Sequence, residues 1–115
     1  PARPQRAHVA IRNIIINAVE AIKNRGQVVL TLRETPEEIE VEVRDSGVGM
    51  PSEVQERLFE PYFSTKPGGT GLGLAICRKI MEEHEGKILV ESQPGRGTKI
   101  TLVFPKLMER QKQEN

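Results

Sequence analysis

The sequence predicts an α+β two-layer sandwich, a mixed but largely antiparallel sheet with about three helices on one face. Three observations predict it. Residues 38–44, EIEVEVR, alternate strictly, with Ile39, Val41 and Val43 on one side and Glu38, Glu40 and Glu42 on the other, the period-two signature of a half-buried strand. Residues 7–24 carry their apolar side chains at helical spacing instead. The helical segments follow strand pairs and do not alternate with every strand, which segregates them to one layer. The glutamate row of strand 38–44 turns the opposite face of the sheet toward water.

Taken in order, the first helix covers residues 7–24. Ile11, Ile15, Ala18 and Ile22 form its stripe, widened by Ile14, Val19 and Ala21, and Gly26 supplies a stop. QVVLTLR at 27–33 is β-branched and alternating, and ETPE links it by a turn to EIEVEVR, so the two pair antiparallel. Two glycines in Asp45–Gly49 end the second strand. Pro51 at a helix N1 position opens a short helix running to about Arg57. Residues 59–70, with Pro61, Pro67, Gly68 and Gly69, read as an irregular loop. Helix returns at 72–85, with Leu72, Ile76, Cys77, Ile80, Met81 and His84 inward and Gly86 as its C′ residue. KILVES at 87–92 and KITLVF at 99–104 are strands joined by the turn QPGRG. The expected organisation is an upstream linker at 1–6, one folded domain at 7–105 and a polar, frayed tail at 106–115.

Composition removes several classes of function. The chain has 115 residues, enough for one domain with one core. Seventeen basic against sixteen acidic residues leave a net charge of +1, so no basic field points to nucleic acid or to a membrane surface. Aromatic residues are 3% and tryptophan is absent, which leaves few stacking platforms for single strands. Two histidines and one cysteine are too few for a His/Cys zinc site. Cys77 reads as a small buried hydrophobe. No apolar run approaches the roughly 20 residues of a transmembrane helix, and the expected location is the cytoplasm.

The residues with chemistry to offer lie in five places. Gly68–Ala75, GGTGLGLA, places four glycines within six residues just before a helical segment. Bare backbone and helix N–H groups together suit an anion, of which a phosphate is the common biological case. The run is neither a Lys-containing Walker loop nor a dinucleotide fingerprint. Asn13 and Asn17, four apart, share a helix stripe with Glu20 and Asn24, set off by Val9 and Ile16 from an exposed Arg12 and Lys23. The stripe serves either as a hydrogen-bonded edge or as a carboxamide ligand for Mg²⁺, a cation that prefers oxygen. Asp45 ends a strand before Gly47 and Gly49. It is either an Asx turn or an acceptor for an exocyclic amino group such as that of adenine, with the ring lying against the glycine backbone. Leu58–Lys66 holds all aromatics but Phe104, either as a pinned loop or as a hinged lid bringing Lys66 to a terminal phosphate. Gly95–Thr98 is a hairpin turn whose Thr98 hydroxyl could face the same base. His84 and His8 read as a helix-end residue and a helix-start residue, not as catalysts.

In this order and spacing the chain resembles the catalytic and ATP-binding domain of sensor histidine kinases. That superfamily is shared with type II topoisomerases, the ninety-kilodalton heat-shock chaperone and mismatch-repair ATPases. Asn13-Ile-Ile-Ile-Asn17-Ala is similar to the N box and Asp45-Ser-Gly47-Val-Gly49 to the G1 box. Phe59-Glu-Pro-Tyr-Phe63 is similar to the F box, Gly69-Thr-Gly71-Leu-Gly73-Leu to the G2 box and Gly95-Arg-Gly-Thr98 to the closing element. The resemblance covers about residues 7–105 and implies a Bergerat-type sandwich with ATP between the first helix and a lid. The compact Ser-Thr-Lys-Pro-Gly-Gly-Thr lid is similar to that of nitrogen-regulator and sporulation-type kinases.

Carried over by position, the resemblance implies Asn17 as the Mg²⁺ ligand and Asn13 as a phosphate or metal-water contact. It implies Asp45 and Thr98 at adenine, with Gly47 and Gly49 beside the ring. Lys66 reaches the γ-phosphate, and the backbone of Gly69, Thr70, Gly71, Leu72, Gly73 and Leu74 wraps the phosphates. The implied reaction is transfer of the γ-phosphoryl group to a histidine on a separate dimerisation domain, in a pathway that ends on a response regulator. The isolated domain is expected to be monomeric and unable to phosphorylate itself. Two departures matter. Glu20 stands where many relatives carry a basic residue, so positive charge falls to Lys66 or Mg²⁺. Asn13 stands where ATP-hydrolysing relatives carry a glutamate base, which favours transfer over hydrolysis. A Ser/Thr kinase of the anti-sigma or mitochondrial type and a non-catalytic ATP-gated switch share the same boxes.

Overall fold

The computed structural model describes residues 4–64 and 71–106. Its elements are α1 (Pro4–Glu20), β1 (Val28–Glu34), β2 (Glu38–Asp45), α2 (Ser52–Arg57), α3 (Gly73–Glu83), β3 (Lys87–Ser92) and β4 (Thr98–Pro105). The four strands form one sheet in the order β1-β2-β4-β3. All three pairings among the described residues are antiparallel. Hairpins account for β1–β2 and β3–β4, and β4 returns beside β2 only after α2, α3 and β3 have been laid down.

Strand alternation decides which face is apolar. Val41 and Val43 of β2 sit beside Leu102 and Ile100 of β4, which in turn sit beside Ile88 and Val90 of β3. Onto this face pack α1 and α3. The core joins Ala10, Ile14 and Ala18 of α1 to Cys77, Ile80 and Met81 of α3 and to Val41, Val43, Ile100 and Leu102 of the sheet. Each large member stabilises the fold by about 1.5–3 kcal/mol relative to exposure. The helices run antiparallel, for Arg6 pairs with Glu83 at 3.2 Å while Asn13 meets Gly73.

The helices differ from expectation in phase and extent. The buried line of α1 is Ala10–Ile14–Ala18, with Val9, Ile11 and Ile15 only flanking it. The alanines let α3 approach closely, whereas Val19 is 56% exposed. The helix begins at Pro4 and ends at Glu20, so Ile22 lies beyond it. Ile76 of α3 is exposed, not inward. Pro51 is the extended residue before α2, not its first helical residue. The short α2 buries none of its residues, so the apolar burial on the sheet comes from α1 and α3.

The opposite face is less aqueous than its glutamates suggest. Glu42 is 8% exposed, held by the Arg33 guanidinium at 3.1 Å, which also lies 3.6 Å from Glu40. At the far edge Lys106 does not fray. Its N–H donates to the Glu37 carbonyl and its ammonium meets Glu34 at 2.6 Å. That hydrogen bond, with the charge behind it, holds the Glu34 carboxyl below its ordinary range.

Candidate functional site

A cleft of about 330 Å³ opens between α1, the β2–α2 connection, α2, the start of α3 and the first residue of β4, within the range of about 300–1,000 Å³ common for small-molecule sites. Asn13, Asn17 and Glu20 line it from α1. They share one helix face because residues three and four apart are neighbours. The Asn13 amide nitrogen donates to the Gly73 carbonyl at 2.9 Å, which turns its carboxamide oxygen away from that bond. The Asn stripe is therefore partly a helix-to-helix tie and partly a cleft wall. Asn24 is exposed outside α1, and Lys23, expected on the outer side, lines the cleft. The reason is that α1 ends at Glu20, so helical phase no longer places the residues after it.

At the other end, Asp45, Thr98 and Ser92 stand in one row across β2, β4 and β3. Asp45 is 4% and Thr98 6% exposed. The Asp45 carboxylate accepts the Gly47 N–H at 2.8 Å, so the Asx turn forms. Thr98 lines the cleft wall; Asp45, its neighbour in the sheet, does not line this cleft but an adjoining cavity that it shares with Gln55, Ser92 and Thr98.

The glycines divide by what a side chain would meet. A Cβ on Gly47 would run into the Ala21 carbonyl, and one on Gly49 into the Gln93 carbonyl. Both glycines are required by packing of backbone on backbone, and Gly49 also lines the cleft. At Gly73 the nearest atom is Asn13 Cγ at 3.9 Å. There the bare backbone is open toward the cleft. Gly73 starts α3, which has neither a side-chain cap nor an acidic residue in its first turn. The positive end of that helix dipole is left uncompensated by its own first turn, which suits an anion.

Leu72 precedes the helix as its N-cap and Leu74 lines the cleft. Gly71 also lines it with φ +75°, and its carbonyl accepts the Tyr62 N–H at 2.9 Å. That bond joins the two described ends of the expected lid. Lys66, Gly69 and Thr70 lie outside the described residues. Phe63 lines the cleft and carries the Arg57 guanidinium 4.5 Å above its ring. Ile16, Met50, Val54 and Leu58 complete an apolar wall that the sequence reading missed. Its signal was the Met before Pro51 and the i, i+4 spacing of Val54 and Leu58.

The remaining reactive groups stand aside. Cys77 is fully buried, and burial pushes its thiol up to about 12. His84 packs edge-on against Phe104 with centroids 5.4 Å apart. His8 is exposed on α1. Among the described residues no cluster of three acidic, histidine or cysteine side chains exists to hold a metal alone. Any cation here would draw on few protein ligands, which fits Mg²⁺ bound largely by phosphates and water. No described helix is long and apolar enough to cross a membrane.

Comparison with known proteins gives this geometry a context. Residues 2–108 match the family described as histidine kinase-, DNA gyrase B-, and HSP90-like ATPase. Sensor histidine kinase ZraS of Klebsiella oxytoca is 44% identical over 105 residues, covering 90% of this chain and 23% of that protein. Sporulation kinase C of Bacillus subtilis is 41% identical over 93 residues, covering 81% and 22%. The chain thus spans less than a quarter of the length of these curated relatives. Among solved structures, the catalytic domain of histidine kinase ThkA superposes with a TM-score of 0.80 at 39% identity, over 91% of this chain and 70% of that one. The mycobacterial sensor histidine kinase MprB gives 0.74 at 33%, over 84% and 68%.

Proposed function

The chain belongs to the histidine kinase-, DNA gyrase B- and HSP90-like ATPases, and we propose that it binds MgATP in this cleft and transfers the γ-phosphoryl group to a histidine on a separate helical dimerisation domain. The observation that carries the reading is the pairing of two unlike ends. Asn13, Asn17 and the open backbone at Gly73 form a polar, N–H-rich end. At the other end Thr98 presents its hydroxyl to the cleft, with Asp45 beside it across the β2–β4 pairing.

In this reading Asp45 and Thr98 receive the adenine amino group, and the apolar wall of Ile16, Met50 and Val54 flanks the ring. Asn17 offers its carboxamide oxygen to Mg²⁺. Asn13 steadies the first turn of α3 through Gly73 and faces the phosphates. The N–H groups from Gly71 to Leu74 receive phosphate oxygens, and Lys66 with Gly69 and Thr70 completes the cradle. Mg²⁺ supplies neutralisation of the phosphate charge. Because the transition state is loose, positioning and charge neutralisation suffice without a general base on this chain. An imidazole is already a nucleophile, which suits an amide at position 13. The domain works in the cytoplasm, where ATP is supplied, and signals to a response regulator through its parent kinase.

Labelled ATP is the direct test. The chain alone should bind it and stay unlabelled. A cognate dimerisation domain added in trans should become labelled slowly, because the covalent link that raises effective concentration is absent. The label should be lost in acid and kept in base, as for phosphohistidine. Acid-stable label on the partner, or label on this chain alone, would replace this reading with that of a Ser/Thr kinase.

A further inference from the structure

The hydroxyl of Ser92 has three neighbours and one proton. It accepts the Met50 N–H at 2.9 Å. It lies 3.0 Å from the Gly97 carbonyl oxygen, to which it donates, and 2.8 Å from Thr98 Oγ1. A hydroxyl has one donor and two acceptor sites. The Gly97 carbonyl can only accept, so satisfying all three contacts assigns the Ser92 proton to Gly97. The Ser92–Thr98 contact must then be made with the Thr98 proton. Thr98 Oγ1 is left with lone pairs only.

The surroundings hold this arrangement in place. Gln55 Nε2 donates to the carbonyls of both Met50 and Ser92, at 2.9 and 3.0 Å. Gly97, at φ +82°, sits so close to the Asp45 carbonyl that a Cβ would collide with it. Thr98 faces the cleft between Ser92 on one side and Asp45 on the other. An ionised carboxylate is also acceptor-only. Two adjacent acceptors complement an exocyclic amine, which carries two N–H groups, and oppose a ring carbonyl.

We propose that Ser92 is a positioning residue that orients the Thr98 hydroxyl as an acceptor toward the cleft and thereby sets its preference for a 6-amino over a 6-oxo purine. The inference rests on the placement of the base at Asp45 and Thr98 made above. Ser92 itself touches Thr98 and backbone, not nucleotide. Without Ser92 the Thr98 hydroxyl is free to turn and donate to a carbonyl, so the discrimination carried by Thr98 disappears while that of Asp45 persists.

The test measures Kd values for MgATP and MgGTP by competition against a fluorescent ATP analogue, with thermal unfolding in parallel. In Ser92→Ala the GTP-to-ATP Kd ratio should fall about tenfold, equivalent to about 1.4 kcal/mol, mainly through tighter GTP binding. Ser92→Thr, which keeps a hydroxyl, should restore the ratio. In a Thr98→Val background the Ser92→Ala change should leave the ratio unaltered. If alanine unfolds the sheet end, Ser92→Cys, near isosteric and a weak hydrogen-bonding group, carries the same comparison. A wild type that prefers ATP with a ratio unmoved in Ser92→Ala overturns the Ser92 role and leaves the base placement standing. An equal fall in the Thr98→Val background also overturns it, since the effect would not pass through Thr98. A wild type with no preference for ATP overturns the base placement and this inference together.

Discussion

Replacing Gly73 by alanine separates stability from nucleotide binding. The position is the first residue of α3, and the added Cβ would meet nothing nearer than Asn13 Cγ at 3.9 Å, ordinary van der Waals contact. The fold should therefore accept the methyl. Loss of glycine's freedom in the unfolded chain stabilises by about 0.4–1 kcal/mol, which for a domain of this size raises Tm by about 2–4 °C. The same methyl enters the space open toward the cleft beside the uncapped first turn. Losing one hydrogen bond to a charged phosphate costs about 1.5–3 kcal/mol, so ATP affinity should fall about tenfold to hundredfold. Differential scanning fluorimetry reads the first effect and isothermal titration calorimetry with MgATP the second. Gly97→Ala is the contrast, because φ +82° and the Asp45 carbonyl both oppose a side chain there, and stability should drop. A Gly73→Ala protein with higher Tm and undiminished ATP affinity would refute the phosphate assignment. A lower Tm would refute the claim that the space is open.

Two further outcomes follow from the same geometry. Asn17→Ala should bind ATP with little or no enhancement by Mg²⁺, whereas the wild type should gain affinity with the metal; paired titrations with and without MgCl₂ decide it, and equal enhancement would remove Asn17 from the metal's shell. Cys77 should resist iodoacetamide at pH 8 in the native state and react on unfolding. Its folded thiol is raised to about 12 from an ordinary 9.0 by burial. Above pH 9 the unfolded chain therefore sheds a proton that the folded one keeps. Stability should then fall by up to about 1.4 kcal/mol per pH unit between 9 and 12. The decline should be shallower in Cys77→Ala when urea midpoints are compared across that range.

What was legible in the sequence depended on how local its cause is. The alternation of β2 predicts a strand at 38–44, and the structure extends it by one residue to Asp45. Ala10 and Ala18 carry little hydrophobic weight, so the isoleucines at 11, 15 and 22 drew the predicted stripe off its true centre. The value of those alanines lies in how near α3 comes, and α3 is some sixty residues later in the chain. The packing role of Gly47 and Gly49 is not legible, because their collisions are with Ala21 and Gln93, which no spacing brings beside them. The Asx turn at Asp45 was legible because a carboxylate ending a strand before a glycine turn is a local pattern. Lys23 was misplaced by extending helical phase beyond Glu20. The Ser92 contacts involve residues 42, 5 and 6 positions away, and the first of these is set by the fold alone.

The hydrogen bond from Tyr62 N–H to the Gly71 carbonyl pins together the two points between which residues 63–70 run. Both ends of the intervening stretch are held within hydrogen-bonding reach of each other, so the gap it must bridge stays the same whatever its contour length. For a connection of this kind each doubling of length costs only about 0.6 kcal/mol of closure entropy. Lengthening or exchanging that stretch should leave the sheet and both covering helices indifferent. Loop grafting between Tyr62 and Gly71 can then change that stretch without touching the sheet, with the hydrogen-bonded pair as the splice site.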